Sequence, residues 1–176
     1  MRLYFVRHGQ SSYNVKKRFN SDPKKKVLLT KLGVKQINKV KSNLKNKKIE
    51  VIFVSEFPRT IQTAKIINES HAVPIKIDKR INERRTGFEG KTFHEYIKFI
   101  DKNKFHIKPK GGESFQEEKK RVFSFLKDLI KMPCKEVLIV SHEEIMKVIK
   151  GYFNKLTDEE MWALSIPNAH LMKFNV

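Results

Sequence analysis

Leu3-Tyr4-Phe5-Val6-Arg7-His8-Gly9 is the stretch on which the reading of this chain turns. Four consecutive apolar or aromatic residues have the pattern of a strand buried on both faces. They deliver a guanidinium, an imidazole and a glycine at the strand's end. An imidazole nitrogen can attack phosphorus, an adjacent guanidinium can hold phosphoryl oxygens bidentately, and glycine lets the backbone approach a neighbour or take a positive φ. Alone the tripeptide specifies little. Its weight comes from what stands at the other strand ends.

Outward from this stretch, short β-rich runs at residues 51–54, 75–77, 137–140 and 171–176 alternate with longer helical patterns. Most are nearly continuous in apolar residues, as parallel strands covered on both faces are; the last could pair in either direction. Thr30 is placed to cap a helix with Leu32, Ile37, Val40 and Leu44 as its apolar face. A second helix is expected over residues 59–69. Ser114 begins a third, with Phe115, Val122, Phe125, Leu126, Leu129 and Ile130 inward, and residues 143–153 give a fourth. The alternation predicts an α/β domain of three layers, α/β/α, with a mostly parallel central sheet. Residues 1–176 read as a single domain, with a small cap-like excursion at about residues 87–112. That excursion holds one short helical pattern, residues 93–100, and a basic stretch from Lys102 to Lys110; it reads equally as a lid or as a plain surface loop.

Composition bounds the function. The chain has 176 residues, 38 Lys plus Arg against 19 Asp plus Glu, and a formal charge of +19, so polyanions are attracted to it. A lysine-rich proteome and a selected polyanion surface would both give this balance. Basic residues are dispersed, and no basic motif interleaved with aromatics for base stacking is present, which argues against a dedicated nucleic-acid binder while leaving non-specific contact through charge. The single cysteine, Cys134, precludes an internal disulfide and is expected as a buried thiol. The opening residues lack a signal-peptide pattern and no apolar run reaches membrane-spanning length, so the expectation is a cytoplasmic protein with no membrane partner. Oligomeric state is not legible.

In open α/β sheets ligands bind beyond the carboxyl ends of the strands. The first strand releases Arg7 and His8, the second Ser55 and Arg59, the third is followed by Glu83, and the fourth releases Ser141 and His142. Arg7, Arg59 and His142 can clamp a transferring phosphoryl group without a metal. An unprotonated His8 nitrogen can attack it, and Glu83 is the candidate acid for the leaving oxygen and base for the incoming water. His71, His94, His106 and His170 lack ligand-like spacing with one another or with Cys134, so no metal and no cofactor are expected.

These residues sit in a recognisable order. Arg7-His8-Gly9-Gln10-Ser11-Ser12-Tyr13-Asn14 resembles the R-H-G-[EQ]-[ST]-x-x-N opening of the histidine phosphatase superfamily, with its phosphoglycerate mutase-like fold. The segment from Leu29 to Gln36 resembles its L-T-x-x-G-x-x-Q helix start. Ser55 to Ala64 resembles its S-x-x-x-R-[AT]-x-Q-T-A segment, Ile81-Asn82-Glu83-Arg84 the segment carrying the acid, and Pro167-Asn168-Ala169 its late P-N-[CGA] turn. The resemblance implies His8 as phosphorylated nucleophile, Arg7, Asn14, Arg59 and His142 on the phosphate, and Glu83 as acid. Two departures bear on substrate contact: Glu143 stands where many members have glycine, and is expected to cap the following helix or meet a cation on the substrate, and Asn20 stands where related phosphatases often have glutamine. The short excursion before Gly112-Glu113-Ser114 favours hydrolysis over mutase chemistry, because a mutase must keep water from its phosphohistidine. The function expected is a metal-independent phosphomonoesterase, a phosphoric monoester hydrolase of the histidine acid type, acting on a small phosphorylated metabolite. A phosphoglycerate mutase and a non-enzymatic polyanion-binding protein on the same fold are the alternatives.

Overall fold

The apolar run at residues 3–6 lies within a strand, Arg2–Arg7 (β1), second from the edge of a five-stranded sheet in a computed structural model that describes residues 1–100 and 104–176. The other strands are Val51–Val54 (β2), Ile75–Ile77 (β3), Glu136–Ser141 (β4) and Leu171–Asn175 (β5). The helices are Ser12–Val15 (α1), Lys31–Leu44 (α2), Pro58–Asn68 (α3), Phe93–Phe99 (α4), Phe115–Ile130 (α5), Glu143–Asn154 (α6) and Asp158–Ala163 (α7). The strand order is β3-β2-β4-β1-β5. The first four are mutually parallel, and β5 closes the edge antiparallel to β1, with Leu3 opposite Phe174.

Alternation along each strand sends neighbouring side chains to opposite faces. Leu3, Phe5, Val137 and Ile139 meet Val122, Phe125, Leu129, Ile145 and Ile149 of α5 and α6 on one side. On the other, Tyr4, Val6, Ile52, Val54 and Leu138 meet Ile37, Val40, Leu44, Ala64 and Ile67 of α2 and α3. The expected α/β fold with a mostly parallel sheet and helices on both faces is therefore what forms. Burying two such faces strips water from a strand that carries its chemistry at one end, and close packing holds that end still.

Two local expectations need correction. Leu32 does not face the core of α2 but is 51% exposed, and Gly33 takes the inward position instead. A Cβ at Gly33 would stand 2.1 Å from the Gln10 carbonyl oxygen, and one at Gly9 would stand 2.5 Å from the Gly33 carbonyl oxygen. Both glycines serve close approach of the β1 exit to α2, which settles the role of Gly9. Cys134 is half-buried against the core rather than fully enclosed.

Helix α7 was not foreseen, although Thr157 and Glu160 form the reciprocal capping pair that marks a helix start. In the excursion, α4 forms close to its expected bounds and is capped by Thr92. Phe88, Tyr96 and Phe99 pack ring against ring there, and Phe19 joins them through Tyr96. Lys102, at the start of the expected basic stretch, lies outside the described residues. Among the described residues no helix is long and apolar enough to cross a membrane.

Candidate active site

The carboxyl ends of β1, β2 and β4 bring His8, Arg59 and His142 into contact. The three are nearly or fully buried, at 2%, 4% and 0% exposure. His8 and His142 lie edge to face with ring centroids 5.3 Å apart. Arg59, in the first turn of α3, bridges them: its Nε donates to His8 Nε2 at 3.1 Å and its Nη2 to His142 Nδ1 at 3.0 Å. Phe57, just before α3, supports both groups, with its ring 4.6 Å beneath the guanidinium and 4.8 Å from the His142 ring.

The hydrogen bonds assign the tautomers. His8 Nδ1 lies 2.7 Å from the Gly9 carbonyl oxygen, which can only accept, so Nδ1 carries the proton and Nε2 the lone pair. Burial lowers the His8 pKa well below the usual histidine value, and the Arg59 and Arg7 cations lower it further. His142 accepts from Arg59 at Nδ1 and so donates from Nε2 to Ser55 Oγ at 2.7 Å. Burial, Arg59 and His8 likewise hold its pKa far down. Burial also lowers the Arg59 pKa to about 10, which leaves it a cation at neutral pH. The backbone of His8 is tied on both sides. Its N–H donates to Ser141 O at 3.0 Å, and its carbonyl accepts from Ala169 N and from Asn168 Nδ2.

Arg7 is 9% exposed, pairs with Glu143 at 2.7 Å and donates to the Ile166 carbonyl. The Asn14 carbonyl oxygen accepts from Ser11 N, Ser11 Oγ and Asn168 Nδ2, an anchoring that fixes which end of the amide is free. Glu83 Oε2 stands 3.8 Å from His142 Nδ1, and its Oε1 accepts from the Arg84 N–H at 3.2 Å. Burial raises the Glu83 pKa, and the Glu144 carboxylate raises it further against the opposing pull of Arg59 and Arg7. A cavity of about 400 Å³ opens onto these groups, with Arg7, His8, Asn14, Asn20, Arg59 and Glu83 among its lining residues. The sequence profile of branch 1 of the histidine phosphatase superfamily matches residues 3–176.

The chain belongs to that superfamily. A curated relative from Hydrogenobacter thermophilus, named provisionally as phosphoserine phosphatase 2, is 30% identical over 99% of this chain and 89% of its own length. The adenosylcobalamin/α-ribazole phosphatase of Escherichia coli is 24% identical over 92% of this chain and 83% of its own. The solved α-ribazole phosphatase of Shigella flexneri superposes with a TM-score of 0.88 at 23% identity, covering 100% of this chain and 91% of that one. The fold is accordingly phosphoglycerate mutase-like.

Within this histidine phosphatase superfamily chain, three expected site residues make contacts inside the protein as well, and two of them, Asn20 and Glu143, line the cavity. Asn20 lines the cavity, but its carbonyl oxygen accepts from Arg59 Nη1 and its amide donates to Asp22 O at 2.9 Å, so it holds the arginine in place. Glu143 does not cap α6, because its carboxylate is drawn to Arg7 and accepts from the Ile166 N–H at 3.3 Å. His142 does not line the cavity. It is wholly enclosed and reaches the cavity through Arg59 and Glu83. His94, His106 and His170 are exposed and His71 is half-buried, all away from the cavity. Among the described residues no three His, Cys, Asp or Glu side chains gather to hold a metal.

Sequence reasoning missed a second set of lining residues, a wall formed by Arg84, Glu144, Lys147 and Trp162. Arg84 is 3% exposed and lies over the Trp162 ring at 4.9 Å. It pairs with Glu144 at 3.2 Å and stands 3.5 Å from Glu118, a wholly buried carboxylate with no hydrogen bond to either oxygen. Glu144 pairs in turn with Lys147 at 2.8 Å.

Proposed function

We propose that this superfamily member is a phosphomonoesterase that hydrolyses a small phosphorylated metabolite through a phosphohistidine on His8, without a metal. The observation that carries the reading is the state of His8: neutral, its Nδ1 proton fixed on a backbone carbonyl, its Nε2 lone pair held against a cationic guanidinium at the cavity. A nucleophile needs that lone pair, and an approaching phosphoryl group needs that cation.

In the first half-reaction His8 Nε2 attacks phosphorus in line. The P–N bond forms as the P–O ester bond breaks, and the leaving oxygen takes the Glu83 proton. A phosphoryl group bound against His8 replaces Arg59 as the partner of Nε2, and the displaced guanidinium turns its donors to the equatorial oxygens. That movement uncovers His142 Nδ1. The Ser55 hydroxyl can donate to His142 Nε2 as readily as accept from it, so His142 can then present an Nδ1–H to the phosphate. Arg7 and the free amide end of Asn14 complete the clamp. In the second half-reaction water gives its proton to Glu83 and attacks phosphorus, the P–N bond breaks, and phosphate leaves.

The chain as one domain, and the described parts of the 87–112 excursion as a cover over the cavity, belong to the same proposal. The anchoring of Phe19 to Lys91 and Gly90 by backbone hydrogen bonds supports the second part, because Phe19 lines the cavity. The test is a phosphate-release screen over monoesters, with chelator, run beside interconversion of 2- and 3-phosphoglycerate. Release of phosphate that survives chelation is expected. Interconversion without release would replace the hydrolase by a mutase, and activity in His8→Ala equal to wild type would end both.

A further inference from the structure

Four charged side chains are left unused by the proposed reaction: Arg84, Glu144 and Lys147 on the cavity lining, and Glu118, wholly enclosed beside Arg84. We propose that Glu144 is a positioning residue for the acid step, its fixed negative charge on the cavity wall keeping the proton on Glu83. This rests on Glu83 being the acid of the reaction proposed above.

The requirement comes from the surroundings of Glu83. Arg7 from β1 and Arg59 from α3 both favour its carboxylate form, as does the neighbouring Arg84 N–H. Arg121 from α5 adds a further cation, and the enclosed His142 is neutral. A second cavity of about 410 Å³ is also lined by Glu83, together with Glu56, Lys79, Arg85, Glu113 and Arg121. A carboxyl among the arginines that bind phosphate would ordinarily lose its proton, and a deprotonated Glu83 cannot protonate a leaving alkoxide. Two things oppose that loss: burial and a nearby negative charge. Two carboxylates could supply the charge.

Glu118 is the weaker candidate. It is fully enclosed, neither oxygen accepts a hydrogen bond, and its pKa is pushed up to about 8. Glu144 is held by Arg84 at 3.2 Å and Lys147 at 2.8 Å, which keep it ionised in spite of its burial. It stands at the second position of α6, where the helix N-terminus also favours an anion. Glu144 and Glu83 line the same cavity. The Arg84 side chain is directed at Glu118, Glu144 and Trp162.

The experiment is a carboxyl-carbon NMR titration of the full chain labelled at glutamate, with Glu83→Gln used to assign the Glu83 signal. In Glu144→Gln the Glu83 titration is expected to move about one pH unit lower, since one nearby charge commonly shifts a carboxyl by that much or more. Lys147→Met, which unmasks Glu144, should move it higher, and Glu144→Asp should restore most of the original value. The alkaline limb of kcat/KM for an alkyl phosphate should follow the same order. A Glu83 titration unchanged or raised in Glu144→Gln overturns the inference while leaving the acid role intact. An alkaline limb that persists in Glu83→Gln removes the acid role itself and takes the inference with it. The opposed variants guard against misfolding, because lost structure would not move one titration in two directions.

Discussion

The two walls of the cavity are both rich in charge, yet they are built on opposite plans. On the His8 side the groups come from strand ends, their tautomers are fixed by hydrogen bonds, and Arg59 has no carboxylate within ion-pair distance among the described residues. Its positive charge is held in reserve for something that arrives. On the Arg84 side every cation already has an ionised acid, because Glu144 pairs with both Arg84 and Lys147. Its cations are engaged by groups of the protein itself, and it acts by where its charges stand. Unpaired buried charge marks a place where a ligand completes the electrostatics, whereas paired buried charge marks a place where protein groups tune one another.

The largest effect that sharpens this contrast is at the nucleophile. His8→Ala should lose about 10⁴-fold or more in kcat while keeping the wild-type circular dichroism, since losing a nucleophile removes the whole covalent route. Steady-state assays with the purified variant check it. Arg59→Met should cost about 10²–10³-fold, the scale for losing a preorganised donor to a developing charge. If instead the corresponding Arg84→Met variant cost as much in kcat, the two walls would not differ in kind.

Glu83→Gln should slow an alkyl phosphate about 10²-fold and p-nitrophenyl phosphate much less, because a phenolate leaves with little help. Equal losses on both substrates would contradict the acid role.

The smallest effects have opposite signs on the two walls. Folded His8 is held neutral, while in the unfolded chain it takes a proton near its ordinary pKa of about 6.5. The unfolded state therefore binds more protons below that pH, and His8 costs stability as the pH falls. Folded Glu118 keeps a proton that the unfolded chain loses at about 4.5, so Glu118 costs stability as the pH rises from there towards about 8. Relative to wild type, His8→Gln should gain in Tm on going from pH 7.5 to 5.5. Glu118→Gln should gain from pH 5 to 8, by about 2–4 °C for each kcal/mol recovered. Thermal melts across that range read both slopes, and slopes of the same sign would erase the distinction between the walls.

How much of this was legible in the sequence follows the same division. Arg7, His8, Arg59, Glu83 and His142 follow apolar strands, and strand ends are where an open sheet binds ligands, so their convergence could be read directly. The depth of His142 could not, since whether an arginine reaches across an imidazole depends on side-chain packing. Nor could Asn20 be assigned to Arg59, because a short amide at a loop bears no mark of its partner. Glu118 did leave a sign. It falls on the inward stripe of α5, three residues after Phe115 and four before Val122, where a solvated glutamate does not belong. Leu32 misled for the reverse reason, an apolar residue at helical spacing displaced by the need for Gly33 to meet the strand exit.

The most direct measurement of the central claim is acid-sensitive, base-stable phosphorylation of the enzyme during turnover, trapped by rapid quench with a ³²P-labelled monoester and mapped by peptide analysis. Label is expected on His8 in wild type, with accumulation when a fast-leaving aryl phosphate is used, and none in His8→Ala. Turnover with no trapped label at any quench time, or label on His142 in its place, would contradict it.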